Sequence, residues 1–134
     1  MTEPVSIEVS KLLLEIGYDE ECDYYYPLDG TNELVRHPYD KWKNSEIKHG
    51  VPYHKKKYQI QCISAPTIGE VVMWFYKTYK VWIYVKQGYD WEWFIETVDN
   101  QPKIIGNDGL NTSPIAAYNS AFEFYIKTGK VKQS

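Results

Sequence analysis

Along residues 6–16, Ile7, Leu13 and Leu14, with Val9, Leu12 and Ile16, recur at three- and four-residue separations among polar neighbours. The spacing predicts an amphipathic helix, with Ser6 as its N-cap and Gly17 as the stop. Residues 22–28, with Tyr24, Tyr25 and Tyr26, read as a strand entering a turn at Asp29-Gly30. From Thr31 to Lys57 the pattern dissolves, interrupted by His37-Pro38, Gly50 and Val51-Pro52. A structureless loop of that length is uncommon in a compact domain, so short irregular strands or a partner-dependent segment are expected at 31–57. Residues 58–63 alternate Tyr58, Ile60 and Cys62 with Gln59, Gln61 and Ile63, which predicts a strand.

Ser64-Ala65-Pro66-Thr67 opens the clearest element, a helix with Thr67 and Glu70 placed for a capping box. Its core stripe is Ile68, Val71, Val72, Phe75, Tyr76 and Tyr79, widened by Met73 and Trp74. A meander of three strands follows. Residues 81–85 set Val81, Ile83 and Val85 against Trp82 and Tyr84, and Gly88 lies in the next turn. Residues 91–98 set Trp91, Trp93, Ile95 and Thr97 against Glu92, Phe94, Glu96 and Val98. A turn at Asp99-Asn100-Gln101-Pro102 leads to a short third strand at 103–105, and Gly106-Asn107-Asp108-Gly109 reads as a loop. Ser113-Pro114 caps a last helix whose core face holds Pro114, Ala117, Tyr118, Ala121, Phe122 and Tyr125. Residues 128–134 are a polar, frayed tail. The expected fold class is α+β: one domain over 1–134, with an antiparallel sheet packed against about three helices. In that sheet the tyrosine strand extends the meander.

Composition adds one anomaly. Of 134 residues, 16% are aromatic, supplied by 13 Tyr, 5 Trp and 4 Phe. Charge is ordinary in amount but uneven. Residues 1–33 carry nine acids against Lys11 alone, and 34–57 carry seven Lys and Arg against Asp40 and Glu46. The net charge of −3 lacks the basic field that nucleic-acid binding usually needs. The acidic and basic segments are expected to lie near each other on one surface; the sharper alternative is an anion-binding strip of Lys48 and Lys55, Lys56 and Lys57, flanked by His49 and His54. No signal-peptide core and no apolar run long enough to span a membrane is visible, which predicts a cytoplasmic chain with Cys22 and Cys62 reduced.

Three segments, KLLLEIGYDEECDYYY at 11–26, SAPTIGEVVMWFYKTYKVWIYV at 64–85 and SPIAAYNSAFEFYIK at 113–127, resemble small uncharacterised proteins of Bacteroidota genomes and of their phages and mobile elements. That group carries no assigned activity, so no site residue follows from it. The resemblance implies an accessory or host-modulating role rather than a metabolic one.

Catalytic chemistry finds little support. His37, His49 and His54 all lie in the irregular segment, and neither cysteine stands in a glycine-rich elbow. Cys22, Cys62, His49 and His54 lack the short paired spacings of zinc sites. Glu92 and Glu96, four apart on one strand, stand roughly 13 Å apart, too far for glycoside hydrolysis. No catalytic residue, metal or cofactor is expected. The α-β-β-β-α order of 64–127 is shared with double-stranded-RNA-binding modules, but the last helix has no Lys or Arg before Lys127, which argues against nucleic acid. What remains is an aromatic sheet face. If Trp82, Tyr84, Trp91 and Trp93 share a side, they form an interaction surface for a protein partner or a second copy in a homodimer. Lys55, Lys56 and Lys57 would be a secondary electrostatic contact. Capture of a small anionic, nucleotide-like ligand by these aromatics and lysines is the alternative.

Overall fold

A computed structural model describes residues 2–36, 41–50 and 60–128. The chain is an α+β protein with four helices and two three-stranded antiparallel sheets among the described residues. It divides into two compact units, Pro4–Thr67 and Met1–Glu3 with Ile68–Ser134.

In the first unit, α1 (Ile7–Glu15) starts at Ser6, whose hydroxyl accepts from the Val9 N–H at 3.2 Å, and ends before Gly17 in the left-handed region at φ +91°. Both terminal signals act as their chemistry dictates. Three strands, β1 (Tyr24–Pro27), β2 (Val35–Arg36) and β3 (Cys62–Ser64), form a sheet in the order β2-β1-β3. The tyrosine strand therefore pairs with β2 and β3, in a sheet separate from the meander. Alternation sends its side chains to both faces. Tyr26, with Tyr24 and Ile63, packs with Ile7 and Leu14 of α1. Tyr25 and Cys62 pack with Trp42 and with Ile47 of α2 (Asn44–Ile47).

The irregular segment thus contributes a strand, a short helix and the main-chain exchange between Cys22 and Trp42, with N–H to carbonyl distances of 3.0 and 3.2 Å. Its polar anchor is Asn44, buried, whose Nδ2 donates to the Tyr18 carbonyl at 2.8 Å and whose Oδ1 accepts from the Ser64 N–H at 2.7 Å.

The second unit runs α3 (Ile68–Tyr79), β4 (Val81–Gln87), β5 (Trp91–Thr97), β6 (Ile104–Asn111) and α4 (Pro114–Lys127), with strand order β4-β5-β6. Ile68, Val71, Val72 and Phe75 of α3 are buried, and Phe75 meets Phe122 and Tyr125 of α4 at 5.7 and 5.4 Å between ring centroids. Tyr76, expected in the core, is at the surface, and Met73 is 43% exposed, so the buried stripe is narrower than predicted. Ser113 caps α4, accepting from the Ala116 N–H at 3.0 Å, with Pro114 as the first helical residue.

One predicted loop is a strand. Gly106-Asn107-Asp108-Gly109 lies inside β6. Gly106 is required there by packing, since a Cβ at this position would lie 2.7 Å from Phe124 Cε1 and 3.3 Å from Trp93 Cζ3.

Candidate functional site

The β4–β5 hairpin fixes which side each aromatic takes. Gln87 pairs with Trp91 across a three-residue loop, and the register continues through Val85↔Trp93, Tyr84↔Phe94, Ile83↔Ile95 and Trp82↔Glu96. Directly opposed residues share a face. Trp91 and Trp93 therefore stand with Ile83, Val85 and Ile95, and the proposed side shared by Trp82, Tyr84, Trp91 and Trp93 does not form. Trp93 is 3% exposed and lies 5.1 Å from the Phe124 ring on α4, so it belongs to the core. Trp91 is half-buried on the same side, its carbonyl accepting from Asn111 Nδ2 at 3.1 Å.

Trp82 and Tyr84 occupy the other face, with Phe94, which alternates with Trp93 and Ile95 along β5 and lies opposite Tyr84. Three cross-strand rows build this face. Trp82, Glu96 and Ile104 form the first, Tyr84, Phe94 and Asn107 the second, and Lys86, Glu92 and Gly109 the third. Trp82 is 39% exposed and meets Tyr76 of α3 edge-on, with centroids 5.7 Å apart at 87°. The Tyr84 and Phe94 rings stack on each other at 5.1 Å and 15°. Lys86 Nζ reaches over both, 5.7 Å from the Tyr84 centroid and 5.4 Å from that of Phe94. An ammonium at that range is attracted by the ring quadrupoles.

The face also holds carboxylates. Glu92 Oε2 accepts from Asn107 Nδ2 at 3.0 Å. Glu96 is half-buried beside Trp82, and among the described residues no cation lies within ion-pair distance of it. Partial burial, with the Glu96 charge as a second cause, pushes the Tyr84 phenol above its usual pKa. The face is thus aromatic at its centre and acidic beside Trp82.

Lys55, Lys56 and Lys57 lie outside the described residues, as do His37 and His54. Cys22 and Cys62 are buried and not joined in a disulfide, and burial, with Asp29 as a second cause, pushes the Cys62 thiol up to about 11. A thiol held protonated is a poor nucleophile. Among the described residues no group of three or more His, Cys, Asp or Glu side chains converges to hold a metal ion, and no helix is long and apolar enough to cross a membrane.

Phe94 and Glu96 were legible as strand residues but not as members of the Trp82 face, because hairpin register rather than alternation assigns them. No family model, no curated protein and no solved structure matches the chain.

Proposed function

We propose that this chain is a non-enzymatic, cytoplasmic binding protein that engages a protein partner through the face of β4–β6 bearing Trp82, Tyr84 and Phe94. The resemblance described above supports placing it among the accessory proteins of phages and mobile elements. The observation that carries the reading is the exposed Trp82 beside a stacked Tyr84–Phe94 pair, on the sheet face opposite the buried Trp93. Tyr and Trp at partly exposed positions dominate protein interface energetics.

A nucleotide-like ligand or an RNA fits this face less well. The Tyr84 and Phe94 rings each give one side to the other, which leaves less ring surface for base stacking. Glu92 and Glu96 on the same face repel phosphate.

The test is capture with two baits side by side, the wild type and a Trp82→Ala/Tyr84→Ala variant matched in circular dichroism and melting temperature. A partner retained by the first and lost from the second supports the reading; equal capture, or none by either, overturns it. Light scattering on both baits reads whether the partner is a second copy.

A further inference from the structure

We infer that the partner surface is cationic, and that an arginine side chain from a basic segment of the partner seats against Trp82 with its guanidinium on the Glu96 carboxylate. This rests on the protein-binding reading above and names the chemistry of the occupant. Three observations carry it. Trp82 and Glu96 are directly opposed across β4 and β5, which places their Cβ atoms about 5 Å apart. One planar cation can therefore touch both. Second, the face already holds a cation in this manner, since Lys86 spans the Tyr84 and Phe94 rings two residues further along. Lys86 serves that aromatic pair, whereas the Trp82–Glu96 row has no cation of its own among the described residues.

Third, Glu96 is a half-buried carboxylate flanked by Trp82 and Ile104, both exposed. Covering that row with an apolar or acidic partner would desolvate Glu96 without compensation, which is costly. A guanidinium satisfies the carboxylate with two parallel N–H donors and stacks its plane on the indole. A phosphate-bearing or acidic ligand meets the wrong charge. A basic surface matches the face in both charge and aromatic content.

The test titrates the full chain, nitrogen-labelled, with a blocked arginine-rich peptide and with the same peptide carrying citrulline at every arginine. The expected result is a saturable, salt-sensitive shift of the Trp82 indole N–H with the arginine peptide, absent with citrulline. In Glu96→Gln the apparent affinity should fall roughly tenfold, whereas Glu123→Gln on α4 leaves it unchanged. The inference is overturned by an equal response to citrulline, by an unmoved Trp82 resonance, or by wild-type affinity in Glu96→Gln. If the peptides are silent while capture still depends on Trp82 and Tyr84, the cationic inference fails and the protein-binding reading stands. If capture is indifferent to those residues, both fail.

Discussion

Gly106 lies so close beneath the ring of Phe124 that a β-carbon there would approach Cε1 to 2.7 Å. A glycine in the middle of a strand usually weakens it, yet here it is what allows α4 to cross the sheet at this depth. Gly106→Ala should destabilise the protein by about 1–3 kcal/mol, because overpacking displaces Phe124 or the adjoining Trp93. In a Phe124→Ala background the same substitution should cost much less. Urea unfolding of the four proteins of this double-mutant cycle measures the coupling, and strict additivity would refute the packing explanation.

Asn44→Ala removes one side chain but strands two buried backbone groups, the Tyr18 carbonyl and the Ser64 N–H. Each lost partner costs about 1–3 kcal/mol, so a drop of about 2–6 kcal/mol in unfolding free energy is expected. Asn44→Asp keeps the acceptor and loses the donor, and burial raises the pKa of the new carboxyl. Its stability should therefore be greatest below the unfolded carboxyl pKa and fall as pH rises through the folded value. Equilibrium unfolding at acid and neutral pH reads both effects.

Trp82 and Trp93 stand eleven positions apart on adjacent strands and on opposite faces. Trp93→Ala should cost about 3–5 kcal/mol, as expected for emptying a large core site. Trp82→Ala, at a side chain 39% exposed, gives up its edge contact with Tyr76 and a partial burial, and should cost less, about 1–2 kcal/mol. Guanidinium unfolding followed by circular dichroism ranks them, and similar costs would mean that the Trp82 face is not open.

Alkaline titration should unfold the protein in a defined window. The folded Cys62 thiol has its pKa at about 11 against an ordinary 9.0, and burial likewise raises Tyr26, Tyr79, Tyr118 and Tyr125 above 10.0. Groups that hold their protons more tightly when folded contribute stability that is complete below the unfolded pKa and lost as pH climbs through the folded one. The melting temperature should thus fall from about pH 9 towards pH 11. Near neutrality both thiols should resist Ellman's reagent until denaturant is added; rapid labelling of the native chain would contradict their burial.

The helices were legible where their signals are local. Ser6 with Gly17, and Ser113 with Pro114, act within one turn of the elements they bound, so a single sequence carries them. Face membership on the meander was not legible, although each strand's alternation was. The loop between Gln87 and Trp91 holds three residues, so positions of equal parity oppose each other and Trp93 joins Val85. A two-residue loop would have reversed this, and composition alone does not decide between the two. Gly106 misled for a related reason, since the ring that requires it comes from α4. Asn44 was hidden in an unpatterned stretch because its partners lie far along the chain.

That separation has a kinetic consequence. The two hydrogen bonds of Asn44 span 26 and 20 residues, so each closes only at the entropic cost of its own long loop. We expect these bonds to close late, so that Asn44→Ala speeds unfolding more than it slows folding, which the folding and unfolding arms of the variant's chevron measure. On that expectation the Asn44 amide bears on how long the native state lasts, while the helix caps at Ser6 and Ser113 close without any distant partner.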